Sequence, residues 1–160
     1  MEDTLAPEQF QGSAIDHINV SVSDIDKSLD FYERALNAIG VLKVLDVPGD
    51  EKESRPRMVG FGFENKPYFW LVEAGTVDPN LHVAFNVGSR NLVRRFFEAA
   101  EKAGGQVKLE PAVHPEYHEH YYAAFVHDPD GVNVEAVCHL DDQDGVAFAE
   151  QQGQAVAGKS

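Results

Sequence analysis

A single cysteine in 160 residues, Cys138, excludes an internal disulfide and fits a reducing compartment. Basic side chains are scarce: 13 Lys and Arg stand against 27 Asp and Glu, a formal charge of −14. A phosphate backbone or an anionic membrane surface would be repelled by that balance. No apolar run approaches the ~20 residues of a spanning helix. The start, Met1-Glu2-Asp3-Thr4, is acidic where a signal or transit peptide is basic. What is present, 43% apolar and 25% charged residues, is the balance of one folded domain with a proper core. The expectation is a cytoplasmic protein whose partner is a small molecule, with no nucleic acid and no membrane.

The chain is written twice. Asp16-His17-Ile18-Asn19-Val20-Ser21-Val22 aligns with Leu81-His82-Val83-Ala84-Phe85-Asn86-Val87 at an offset of 65 residues. The same offset, carried on without a gap, matches Phe31 to Phe96, Glu33 to Glu98, Ala35 to Ala100, Gly40 to Gly105 and Val72 to Val137. Chance scatters matches over many offsets, so one shared offset marks two copies of one supersecondary unit. Each copy opens with alternating apolar and polar residues, 15–22 and 81–87, the period of a half-buried strand. Ser23 and Ser89 stand where helix N-caps belong, with Asp26 placed to complete a capping-box-like pair with Ser23. Ile25, Leu29, Tyr32, Leu36 and Ile39 then form one helical face, as do Leu92, Phe96, Ala99 and Ala103. Gly40 and Gly104-Gly105 end the helices. Strands are expected at 41–47, 57–63 and 67–73, then 106–110, 121–127 and 132–138, with Asp128-Pro129-Asp130-Gly131 as a turn.

The unit is therefore βαβββ, used twice, and the fold class α+β. Residues 1–14 read as an N-terminal arm and 15–139 as one domain, with repeats at about 15–74 and 80–139. Residues 140–160 read as a loose tail in which Val146-Ala147-Phe148 offers a docking segment.

Strand alternation places His17 and Asn19 on one face of the first strand, and His82 at the equivalent position of the second copy. A tight turn through Pro129-Asp130 pairs Ala124 with Glu135 and Tyr122 with Val137, putting all four on one face. Glu135 falls mid-strand, where an ionised carboxylate needs a partner or a metal. His17, His82 and Glu135 make a two-histidine, one-carboxylate set suited to a divalent first-row ion (Zn, Ni, Co, Mn or Fe), with positions left open for substrate. Core histidines with a locally paired glutamate are the competing reading. The repeat equivalent of Glu135 is Trp70, so three protein ligands are expected, with Trp70 as an aromatic wall. His120 and Tyr122, on the rim stretch His114–Tyr122, are the expected proton-moving groups. The competing reading there is a polar rim loop with no role.

These residues resemble the vicinal oxygen chelate superfamily, which includes glyoxalase I, fosfomycin and bleomycin resistance proteins, and extradiol dioxygenases. The matching segments are Ile15-Asp16-His17-Ile18 with Phe31-Tyr32, His82-Val83-Ala84-Phe85, and Ala124 through Glu135, within residues 15–139. The resemblance implies two βαβββ units forming a cup-shaped mixed sheet around a divalent metal, with His17, His82 and Glu135 at the ligand positions. Asn19, Tyr68, Trp70 and Asn133 are the expected substrate contacts. The fourth, glyoxalase-type ligand position falls on Trp70. The three-ligand pattern is nearer to fosfomycin transferases and extradiol enzymes. The latter carry Tyr where this chain has Phe125, and an acid-base His that His118 matches. The expected function is a glyoxalase-like metalloenzyme of lyase or isomerase class. A metal-free binding protein of the bleomycin-resistance kind and an extradiol-type dioxygenase are the alternatives. Small members often build the cup from two chains, so a homodimer is expected.

Overall fold

The computed structural model describes residues 15–141. The expected N-terminal arm, and all of the tail after Asp141 including Val146-Ala147-Phe148, lie outside the described residues. The first repeat runs β1 (Ile18–Val22), α1 (Ile25–Asn37), β2 (Leu42–Val47), β3 (Met58–Phe63) and β4 (Lys66–Glu73). The second runs β5 (His82–Asn86), α2 (Arg90–Lys102), β6 (Gln106–Val113), β7 (Tyr122–His127) and β8 (Asn133–Cys138). Each repeat builds its own four-stranded mixed sheet, in the orders β1-β4-β3-β2 and β5-β8-β7-β6. The first and last strands of each repeat lie parallel, and the remaining pairs are antiparallel. The α+β class and the duplicated βαβββ unit stand as the sequence predicts.

Both helices begin at polar caps, though not both at the expected residue. Ser89 caps α2 through its side chain, which accepts from the Leu92 N–H. In α1 the cap is Asp24, accepting from Lys27 N–H, and not Ser23. Ser23 instead donates its N–H and hydroxyl to Asp130 in the other repeat. Asp26 is taken by Arg57, which also forks onto Asp46. The buried face of α1 is Ile25, Ser28, Phe31, Tyr32, Ala35 and Leu36, rotated from the expected stripe so that Leu29 and Ile39 only flank it.

One core serves both repeats. Val20, Val22, Phe69 and Leu71 from the first sheet join Val83, Phe85, Val134 and Ala136 from the second, together with the buried faces of both helices. Phe69 meets Phe85 edge-on across the junction, with ring centroids 5.3 Å apart. Strand alternation then fixes the rest. The helix-covered faces of the two sheets point inward, and Asn19, Trp70, His82 and Glu135 belong to the opposite, open faces.

Candidate metal centre

Glu135 sits in the middle of β8 and is 1% exposed. Burying a carboxylate costs several kcal/mol unless its oxygens are engaged, and both are. Oε2 lies 2.8 Å from Nε2 of His82 on the neighbouring parallel strand β5. Oε1 accepts a hydrogen bond of 2.5 Å from the Tyr121 hydroxyl. The His82 side chain is 47% exposed, so the pair is open to solvent on one side only.

The β7–β8 register corrects the expected face. Phe125 lies opposite Glu135, Ala123 opposite Val137 and Tyr122 opposite Cys138. Pairing Ala124 with Glu135 required a two-residue turn. The connection is instead five residues, Asp128 to Val132, closed by Asp128 N–H to the Val132 carbonyl and by Gly131 in the left-handed region at φ 88°. Asp128 Oδ1 holds it by accepting from the backbone N–H groups of Asp130 and Val132. One residue of slip turns every side chain of β7 to the other face. Tyr122 therefore packs against the shared core with Arg90 and Arg94 over its ring, and Tyr121 takes the place on the Glu135 side. His120 pairs with Glu119 at 3.4 Å and gives its N–H to His118, without reaching Glu135.

The rim stretch is ordered by ring contacts. Tyr121 meets Tyr117, His118, His139 and His114, with centroids 4.8, 5.4, 5.2 and 6.4 Å away. Burial, the Glu135 hydrogen bond and the Glu135 charge all push the Tyr121 phenol above its ordinary range. His114 stacks edge-on against Phe125 at 5.4 Å, and Phe125 in turn lies 6.0 Å from His82. Its Nδ1 pairs with Glu116, whose carboxyl is held low by its own backbone N–H and then by His114. Nε2 of His114 and Oδ1 of Asn133 are buried without a hydrogen-bond partner among the described residues. Asn133 lies beside His82 in the β5–β8 register. Unmet donors and acceptors of this kind are costly in a folded protein.

The remaining expected residues belong to the first repeat, with Asn19, Tyr68 and Trp70 on its sheet and His17 just before β1. His17 is exposed and bonds through Nδ1 to Asp16 at 2.8 Å, and Lys66 engages the other oxygen of Asp16. That neighbour, followed by His17, holds the Asp16 carboxyl below its usual range. Asn19 faces Trp70 across the β1–β4 pair, and Trp70 lies over Gly60, where an added Cβ would come within 3.0 Å of its ring. His17 and Tyr68 share a cavity of about 330 Å³ with Ile15, Ile18, Phe69 and Phe85, at the seam where β1 approaches β5. Burial raises the Tyr68 phenol. Among the described residues no three His, Cys, Asp or Glu side chains come together as a metal-binding group. A single chain thus unites His82 with Glu135 and leaves His17 in the other repeat. Tyr121 and His114 are the groups that sequence reasoning missed. Both lie within the singled-out rim stretch, and the correct turn length would have found Tyr121.

The same architecture recurs in solved structures. A glyoxalase/bleomycin resistance protein from Albidiferax ferrireducens T118 superposes with a TM-score of 0.64 at 21% identity, over 79% of this chain and 99% of that one. The fosfomycin resistance protein FosX of Listeria monocytogenes, in a mutant form complexed with Mn(II) and 1S,2S-dihydroxypropylphosphonic acid, gives 0.60 at 19% identity, over 79% and 93%. Glyoxalase I from Zea mays gives 0.59 at 21% identity, over 85% of this chain and 47% of that longer one. No curated protein matches the chain. Among the described residues no helix is long and apolar enough to cross a membrane. The family model for this duplicated βαβββ architecture matches residues 14–136, both repeats and the His82–Glu135 pair included, so the chain belongs to the Glyoxalase/Bleomycin resistance protein/Dioxygenase superfamily.

Proposed function

We propose that this chain is a glyoxalase-like metalloenzyme, of lyase or isomerase class, acting on an oxygenated small molecule through a divalent ion. The observation that carries the reading is the buried Glu135 carboxylate facing the half-exposed His82 imidazole at 2.8 Å. A nitrogen and an oxygen at that spacing suit two adjacent donors on one first-row ion, whose bonds are each about 2.0–2.2 Å long. The unpartnered Asn133 oxygen beside them supports the same reading. His82 and Glu135 would hold the ion, and the third ligand is the partner's His17, reaching across from a second copy whose first sheet closes the cup. When bound, the ion supplies Lewis-acid polarisation of a substrate oxygen.

The chain's own residues do the rest. Phe125 and the partner's Trp70 wall the substrate space, and Asn133 and the partner's Asn19 orient polar substrate atoms. With Tyr122 turned toward the core, proton movement falls to His114, whose Nε2 is buried without a partner beside Phe125. His120 stays at the rim.

Metal content tests the reading. After equilibration with Zn(II), Ni(II), Co(II), Mn(II) or Fe(II), the wild type is expected to hold one equivalent per chain. His17→Ala, His82→Ala and Glu135→Gln are each expected to lose it. Mixed dimers of His17→Ala with Glu135→Gln should regain one ion per dimer, because one of their two sites is intact. No binding of any ion by the wild type would leave the second reading, a metal-free binding protein. The apolar seam cavity, lined by Tyr68, Phe69 and Phe85, favours an aromatic ligand.

A further inference from the structure

Glu135 presents two different oxygens. Oε2 faces His82, whereas Oε1 is taken by the Tyr121 hydroxyl at 2.5 Å. We propose that Tyr121 is a positioning residue that reserves Oε1, so that Glu135 meets the ion through Oε2 alone. This rests on the metal reading above.

A phenol bonded to a carboxylate makes a short, charge-assisted hydrogen bond, among the stronger kinds a protein offers. Carboxylates bind metals through one or both oxygens, and the outer partners of a ligand decide which is free. The Tyr121 hydroxyl donates this bond to Glu135 Oε1 at 2.5 Å. It is also held in place. His118 Nδ1 accepts the His120 N–H at 3.1 Å, so the neutral ring carries its proton on Nε2. That Nε2–H donates to His139 Nδ1 at 2.7 Å. The bond ties the β6–β7 connection to the end of β8, and the Tyr121 ring is packed edge-on against both imidazoles. Tyr117 packs on the ring as well, so these contacts hold the ring with its hydroxyl on Oε1.

Tyr121→Phe keeps the ring and removes only the hydroxyl. Its test is Co(II) binding and the visible spectrum of the Co(II) protein, which reports coordination number independently of turnover. With Oε1 released, Glu135 turns to bind through both oxygens. The d–d absorption is expected to weaken as coordination number rises, and Co(II) affinity to fall by about 10–100-fold, the usual effect of losing an outer partner. His139→Asn keeps the hydroxyl and loosens its clamp, and should shift the spectrum the same way by less. A Tyr121→Phe protein with wild-type spectrum and affinity would overturn the proposal while leaving the metal reading intact. A spectral shift in His139→Asn without one in Tyr121→Phe would overturn it equally. A wild type that takes up no Co(II) would overturn both the metal reading and this one.

Discussion

At the residue scale, the informative feature is a carboxylate where an apolar side chain would serve the fold better. Glu135 is as buried as the valines beside it on β8, and its repeat equivalent, Trp70, shows that the fold accepts a large apolar group there. A buried pair of polar groups replaced together by apolar ones is often neutral or stabilising by about 1–4 kcal/mol, whereas removing one partner strands the other. Glu135→Leu with Tyr121→Phe, in metal-free protein, is therefore expected to match or exceed wild-type stability in urea by about 1–2 kcal/mol, and on the proposed metal reading to take up no ion. A loss of more than about 2 kcal/mol in the double variant would assign the pair to the fold and not to a function. Glu135 was legible in the sequence because a carboxylate in the middle of an apolar strand needs a partner, and the 65-residue offset then showed that the first repeat has Trp70 there instead. Tyr121 was not, since its adjacency to Tyr122 leaves the choice of face to the register alone.

At the element scale, periodicity located every strand and both helices within a few residues, because burial on one face imposes it directly. Ser89 capped α2 as expected, but the β7–β8 register and the α1 cap escaped for a common reason: each is decided by which partner a polar side chain finds in three dimensions. Asp128 satisfies two backbone N–H groups and so lengthens the turn, and Asp130 draws Ser23 away from the helix it would have capped. Glycines separate into two kinds on the same grounds. At Gly62 a Cβ would sit 1.9 Å from the Lys66 carbonyl oxygen, inside the β3–β4 hairpin, with only backbone to yield. Gly131 has φ 88° with open space around it. Gly62→Ala is expected to cost about 3 kcal/mol through displaced backbone, and Gly131→Ala about 1–2 kcal/mol through conformation alone. Urea unfolding of the two variants checks the order. Equal losses would mean that the hairpin opens freely and that the close approach across it is not a constraint.

At the scale of the whole molecule, the two repeats are joined by helix-covered faces and by a polar clasp, neither visible in either repeat read alone. Ser23 grips Asp130, and the buried Tyr32 hydroxyl donates to Asp128 at 2.8 Å, both running from the first repeat to the turn of the second. The same turn therefore sets the site's register and seals the repeats together. Burial is the largest influence on Asp128 and lifts its carboxyl above the ordinary 3.8, against the lowering effect of Tyr32 and the two N–H groups. A carboxyl raised on folding takes up a proton as the chain folds. Its contribution is complete below about 3.8, where the unfolded chain is protonated too, and declines as pH rises through the folded value. Asp128→Asn has no such titration. Its amide oxygen still accepts the two N–H groups, and its amide nitrogen can donate to the Tyr32 oxygen. The stability of the wild type relative to Asp128→Asn is accordingly expected to be greatest near about pH 4 and to shrink toward about pH 7, as read from urea unfolding of both proteins at each pH. A gap that widens with rising pH would mean that the ionised Asp128 is the form the clasp favours, with its hydrogen bonds outweighing the cost of burying the charge.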